Sequence, residues 1–278
     1  MLTEEKVTSA SGNSDIDREV ALQELFVMTL SHYRHDLEIL KNINDVIVPL
    51  AEDHSQKMIE QIQSDVPALE ANAQEEYYTY LDSLTNGHET VRVTDQKAAK
   101  ILSSLFSEIG MLRNTPIFIR EMCLGYIISS FEDYLADTLK TVIEDNPEIL
   151  LMSEKKLEYK DILKHKDMYD LKEAIVDDEV RTLMHKDIED INYYLGRFKL
   201  DLSKENDWKV FKEAFYRRNI VIHNRSSTDA IYCKKTGYTN EGEYLEVDQA
   251  YLNNTLSVFD KYALKITDHM TMKFCKPR

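Results

Sequence analysis

"PIFIREMCLGYIISSFEDYLADTLKTVIEDNPEIL", residues 116–150, is the most apolar long segment of the chain. Ile119, Met122, Cys123, Tyr126, Ile127, Ser130, Tyr134, Leu135, Thr138 and Leu139 recur in it at i, i+3 and i+4. That spacing is the mark of a helix with one face in a core. A strand would alternate with a period of two, and no such alternation runs through the segment. Pro116 suits a first helical turn, and Asn146-Pro147 supplies a stop. The segment therefore predicts a central core helix and an all-α fold.

Downstream of it, helices are expected near 158–165, 169–185 and 187–198. A longer one spans Asp207 to His223, with Asn206 or Asp207 as its cap. A last helix opens after Asp248 and runs to Met270. Between these two lies the one β-like stretch, 225–247, whose Thr-Gly and Glu-Gly pairs mark turns of a loop or hairpin. Upstream, a helix is expected over 95–112, preceded by the polar connection "GHETVRVTD" at 87–95. A helix over 68–84 ends at Asn86-Gly87. Before that, helical patterning begins near Asp17, after a polar tail, and Pro49 and Pro67 mark kinks or breaks. The expectation is an N-terminal helical region, 1–95, of unassigned role, and a helical bundle domain, 96–278, with one loop or hairpin before its last helix.

Composition narrows the functional classes. The chain of 278 residues holds only 7 Gly and 5 Pro, and no GxGxxG or GxxxxGK[ST] occurs, which argues against the common nucleotide-binding loops. Three scattered cysteines, Cys123, Cys233 and Cys275, form no CxxC pair and fit a reducing compartment. The N-terminus lacks a signal-like apolar core, and no apolar run approaches the ~18 residues of a membrane span. A cytoplasmic protein without membrane contact is expected. His32, His35 and Asp36 have a loose metal-ligand look but no second cluster to complete a site, so no metal is assigned. His165, His185 and His269 stand apart in sequence and read as structural. Tyr77, Tyr78 and Tyr80 read as a helix contact surface.

The net charge is −16. Against it stands the window Lys209–Lys235, where Lys209, Lys212, Arg217, Arg218, Arg225, Lys234 and Lys235 face Glu213 and Asp229, seven minus two, or +5. At its centre is "RRNIVIHNR", residues 217–225. On a helix, Trp208, Phe211, Phe215, Arg218 and Ile222 share one stripe, so Arg218 interrupts an apolar seam. Asn219 and His223, four apart, share a neighbouring face. A half-buried arginine needs an anion. That anion is a carboxylate from another helix or a phosphate. Imidazole moves protons near neutrality, and guanidinium matches phosphate oxygens in pairs. One Arg and one His make half of a metal-free site for cleaving RNA. A two-fold dimer would complete it.

The string Arg218-Asn219-Ile220-Val221-Ile222-His223 has the R-x4-H form, with Asn after Arg, and resembles the motif of HEPN-domain proteins. "IISSFEDYLADTLKTVIEDNPEIL" looks like the family's earlier core helix, "WKVFKEAFYRRNIVIHN" like its motif helix, and "LEVDQAYLNNTLSVFDKYALKI" like its last helix. The resemblance covers residues 98–270 and implies a dimerising helical bundle. It also implies metal-independent ribonuclease activity without a cofactor, often in toxins or antiviral abortive defence. By position it makes Arg218 and His223 the catalytic pair, with Asn219 orienting the site or touching RNA. Glu132, polar within the apolar segment, either positions Arg218 or His223 or faces solvent beside Asp133. Arg217, Asn224 and Arg225 either hold RNA phosphates or form an exposed basic helix end. A neutralising or triggering protein partner is a further implication. Members paired with a nucleotidyltransferase antitoxin often carry Tyr two positions after the His, where this chain has Arg225. The competing expectation is an inactive HEPN scaffold that binds a protein.

Overall fold

The structure is a computed structural model and describes residues 8–65, 71–85, 96–152 and 156–275. Its described elements are helical throughout, apart from a single antiparallel bridge between Ser227 and Tyr244. The fold is all-α. The helices are α1 (Thr8–Asn42), α2 (Val48–Asp65), α3 (Ala71–Thr85), α4 (Gln96–Asp145), α5 (Tyr159–Ile162), α6 (Met168–Met184), α7 (Ile188–Leu195), α8 (Trp208–Asn224), α9 (Ala230–Thr236) and α10 (Gln249–Phe274). A π-helical turn, Ile43–Ile47, separates α1 from α2. Among the described residues no helix is long and apolar enough to cross a membrane.

The chain divides into two compact units. One comprises residues 1–41, 123–246 and 250–278, and the other 42–122 and 247–249. The cuts at 41/42 and 122/123 fall within helices, not at the polar connection 87–95, which lies outside the described residues. Two proline readings change with this. Pro116 does not open a helix but sits inside α4. It forfeits one backbone bond while the helical periodicity continues on both sides. Pro49 falls at the second residue of α2 without breaking the helix, which runs on from α1 through the π-turn just before it.

The core of the larger unit is aromatic. Phe131 of α4 is fully buried and meets Phe211 of α8 and Phe259 of α10 edge-on, each with ring centroids 5.2 Å apart. Phe215 lies 6.3 Å away and Tyr33 of α1 6.0 Å, also edge-on. Phe211 in turn stacks on Tyr262 at 4.0 Å. Each such pair adds ~0.5–1.5 kcal/mol to the burial itself. The buried face of α4 includes most of the stripe expected in the sequence and is wider than it. It runs through Cys123, Leu124, Ile127, Ile128, Phe131, Tyr134, Leu135, Leu139, Val142 and Ile143, while Met122 and Tyr126 are exposed. Cys123, Ile127, Ser130, Tyr134, Leu135, Thr138 and Leu139 of the expected stripe are buried, and Leu124, Ile128 and Phe131 widen the face beyond it. The Tyr134 hydroxyl donates to the carbonyl of Ala263 at 2.7 Å, which ties α4 to α10. Burial outweighs its hydrogen bonds and pushes the Tyr134 phenol up to about 12.

In the smaller unit, Tyr77 of α3 packs on Leu102 and stacks against Phe106 of α4 at 5.8 Å, as a helix contact surface would, whereas Tyr78 is exposed and the Tyr80 side chain lies outside the described residues. Arg120 is almost wholly buried and donates to Glu52 of α2 at 2.6 Å.

Aspartates open several elements. Asp167 accepts from the amides of Tyr169 and Asp170 to cap α6, and Asp229 accepts from Tyr232 to cap α9. Helix α9 corrects the β-like reading of 225–247. The Asp229 cap and left-handed Gly237, φ 82°, bracket two turns of helix, and the pairing that remains is the Ser227–Tyr244 bridge. Asp201 caps a 3₁₀ turn, Leu202–Lys204, accepting from Ser203 Oγ at 2.6 Å and from Asn192 Nδ2 at 3.1 Å.

Two measurements follow. Truncating Phe211→Ala removes the ring shared by five aromatic neighbours and is expected to lower unfolding free energy by ~3–5 kcal/mol in urea denaturation. The hydrogen bonds from Ser203 and then Asn192 hold the Asp201 carboxyl at about 2, below its usual 3.8. A depressed carboxylate stabilises the fold above its unfolded value, and the gain fades as pH falls towards the folded one. Carboxyl NMR titration should place Asp201 near that value, and Asp201→Asn should flatten the acid loss of stability between the two.

Candidate functional site

Helix α8 carries the R-x4-H segment, and three sides of it have different fates. Phe211, Ala214 and Phe215 enter the aromatic core. Tyr216 and Ile220 pack with Tyr232 of α9, against Tyr238 and Leu245. Asn219, Ile222 and His223 form the exposed side. Ile222, expected on the buried stripe, is 56% exposed. The apolar seam stops at Phe215, because the next residue on that line, Arg218, meets a carboxylate.

That carboxylate is Glu132. Arg218 Nη2 donates to Glu132 Oε1 at 2.8 Å, and the two side chains are 23% and 26% exposed. Glu132 is the residue after Phe131, so the aromatic packing of α4 on α8 sets the register that joins the pair. Burial pushes the Glu132 carboxyl up, and Arg218 opposes this without cancelling it. Asp133 adds to the upward push, and the charge of His185 opposes it. The Arg218 Nε is buried and has no hydrogen-bond partner. A buried, unsatisfied cationic donor is costly and accepts an anion readily.

Arg217, one residue and ~100° away, turns to the other side. Its Nε donates to Glu213 at 2.8 Å, and its guanidinium lies 4.7 Å from the ring of Tyr251. Glu213 also accepts from the hydroxyls of Tyr232, at 2.5 Å, and Tyr251, at 2.8 Å. The Arg217 side chain is only 12% exposed and belongs to this network, which joins α8, α9 and α10. It is therefore not gathered with the exposed residues grouped with it in the sequence.

Asn224 and Arg225 end the helix. The helix does not fray there: the amide of Ser226 donates to Ile220 O at 3.0 Å, and Arg225 and Ser226 both take left-handed φ, 51° and 61°. Neither is glycine, so the paired conformation costs ~1–3 kcal/mol at each. Asn224 Nδ2 donates to Ser227 O at 2.6 Å, leaving the amide committed to the turn. The side chains of His223, Asn219 and Arg225 are exposed and have no hydrogen-bond partner among the described residues.

The cationic window proves largely internal. Lys212 pairs with Glu189 at 3.1 Å, and Lys235 pairs with Asp187 and Glu189 at 2.8 Å each. With Arg217 and Arg218, four of its seven cations face carboxylates of the same chain. Lys209, Arg225 and Lys234 are left without one among the described residues.

Sequence reading missed the Glu213 cluster, although Glu213 and Arg217 stand at i, i+4. It also set His185 aside as isolated, whereas the fold brings its charge to bear on Glu132. Among the described residues no group of three or more His, Cys, Asp or Glu is arranged to hold a metal. Asp36 instead accepts from Ser130 at 2.9 Å. A scan against protein-family models gave no match, and neither did searches of curated proteins and of solved structures.

Glu213→Ala strands the Arg217 guanidinium and two tyrosine hydroxyls. The expected loss is ~3–5 kcal/mol of unfolding free energy, read by thermal and chemical denaturation. Arg217→Met in the same background should recover part of it.

Proposed function

We propose that the chain is a metal-independent endoribonuclease of the HEPN type, acting through a composite site in a homodimer as a toxin or antiviral abortive-defence effector. The observation that carries this reading is the state of Arg218. Glu132 fixes one of its nitrogens, the buried Nε remains unpaired, and Asn219 and His223 stand exposed further along the same helix. A purely structural arginine would gain from satisfying that donor, whereas an arginine awaiting phosphate has a use for it. The pairing with Glu132 alone does not separate the two, since both require a carboxylate.

In the reaction, the His223 imidazole takes the proton of a ribose 2′-hydroxyl, and the oxygen attacks the adjacent phosphorus. Guanidinium stabilises the charge that develops on the phosphorane oxygens. The His223 imidazolium of the second copy gives a proton to the 5′-oxygen as its bond to phosphorus breaks, leaving a 2′,3′-cyclic phosphate and a 5′-hydroxyl. The exposed apolar side chain of Ile222, set between Asn219 and His223, supports burial of this face against a second copy.

A second reading, an inactive HEPN scaffold that binds a protein, draws support from the ion pairing just described. With four of its seven cations committed internally, the window offers RNA little free positive charge, and the chain carries −16 overall.

Purified protein in EDTA should cleave single-stranded RNA, and His223→Ala and Arg218→Ala should each slow cleavage ~100-fold or more. Expression of the wild type should arrest growth, and His223→Ala should relieve the arrest. Equal cleavage by all three proteins removes the assignment. A wild type that is inactive and harmless but co-purifies with a protein partner establishes the second reading.

A further inference from the structure

His185 follows the last residue of α6 and forms its C-terminal cap. In sequence it is far from both Glu132 and Arg218. Two sets of contacts bring it to them. The first aligns α6 with α4: Lys140 Nζ bonds Asp177 at 2.7 Å, and Lys172 Nζ bonds the carbonyl of Glu144 at 2.7 Å. Moving forward along α6 from Lys172 to Asp177 moves backward along α4 from Glu144 to Lys140, so the helices are antiparallel. From the Asp177–Lys140 contact, eight more residues along α6 reach His185, and eight back along α4 reach Glu132. Both steps advance ~12 Å in the same direction.

The second set comes from α8. Tyr216 donates to Asp187 Oδ1 at 2.6 Å, and Arg218 donates to Glu132 at 2.8 Å. His185 precedes Asp187 by two residues, and Tyr216 precedes Arg218 by two. The end of α6 is thereby held beside the segment of α8 that grips α4. The imidazole is exposed and has no hydrogen-bond partner among the described residues.

We infer that His185 is a substrate-contacting residue of the Arg218 site, donating a hydrogen bond from its imidazole to a phosphate oxygen of the bound phosphodiester. The inference rests on the ribonuclease reading for the identity of the substrate, but the anion site it describes can be tested without cleavage. The charged groups that surround it are few. Arg218 and the ammonium of Lys186 are positive, Glu132, Asp133 and Asp187 are negative, and Lys235 pairs with Asp187. Glu132 and Asp187 are each bound to a hydrogen-bond donor of their own, which leaves the imidazole and the unpaired Arg218 Nε as the groups free to meet a phosphate. Burial also holds the Glu132 carboxyl above its usual range, which eases the approach of an anion.

The test follows histidine ring carbons of the full chain by NMR at pH 6.5 while inorganic phosphate is added. His185→Asn and His223→Asn assign the resonances, and thermal melts establish that each variant folds. The His185 signal should move saturably in the wild type and lose that response in Arg218→Gln. His269, whose Nε2 lies 2.8 Å from the carbonyl of Phe198, should stay still. On single-stranded RNA, His185→Asn should lower kcat/KM about tenfold or more. A His185 signal that does not move, or moves no more than exposed His32 and His35, overturns the inference whatever cleavage shows. A His185→Asn variant that cleaves like the wild type overturns it too. If the signal moves but the wild type cuts no RNA, the anion site stands and the nuclease reading falls.

Discussion

The edge-on packing of Phe131 among Phe211, Phe215 and Phe259 is the constraint on which the rest of the larger unit depends. Three helices converge on one ring with no space to slide, because interiors close-packed to this degree forfeit contact energy for any gap. The register so fixed is also electrostatic. Since Phe131 must point into the ring cluster, Glu132 must point ~100° away from it. That direction meets α8 at Arg218, one turn beyond Phe215. Hydrophobic packing thus places a carboxylate and a guanidinium in contact, although neither could have chosen the geometry by itself.

The distribution of charge follows a similar logic. A chain with so large an excess of acid has carboxylates to spare, and α8 lies among helices that carry them. Glu189, Asp187, Glu213 and Glu132 each take a cation of the basic window. The concentration of Lys and Arg near residue 217 is therefore in large part the complement of acidic neighbours that are distant in sequence. What remains free among the described residues is sparse: one guanidinium nitrogen of Arg218, the imidazoles of His185 and His223, the Asn219 amide, and the exposed Arg225, Lys209 and Lys234. A site of that size suits one phosphodiester rather than a long nucleic-acid track, where many phosphate contacts would be needed.

The residues showed some of this in advance and hid the remainder for physical reasons. Helix periodicity is local, so α6, α7, α8 and α10 were legible within a few residues. The width of the buried face of α4 was not, because Leu124, Ile128 and Phe131 are as apolar as the residues of the stripe first traced, and only the partner helices decide how far round the helix burial extends. Pro116 misled because its cost is fixed and small beside the packing of a 50-residue helix. In the site, Glu132 stood out because an acid in an apolar segment demands a partner, and Arg218 because a cation in a seam does. Arg217 could not be separated from Arg218 by type or spacing. Its fate is decided by Tyr251, 34 residues further on, and by a helix phase that the sequence does not print. His185 was hidden for the same reason, since antiparallel contact between α6 and α4 makes neighbours of residues 53 apart.

The left-handed pair Arg225–Ser226 has a consequence for the order in which the molecule assembles. It turns the chain so that Thr228 meets Glu243, a closure of only 15 residues, and the end of the motif helix is stitched by contacts of that short range. The bond from Arg218 to Glu132 closes a separation of 86 residues. The longer closure costs ~1.5 kcal/mol more in chain entropy, and such distant contacts form late. The motif helix and its turn therefore take shape while Arg218 is still unopposed. It meets its carboxylate only when α4 docks, so until then the guanidinium is left open to solvent.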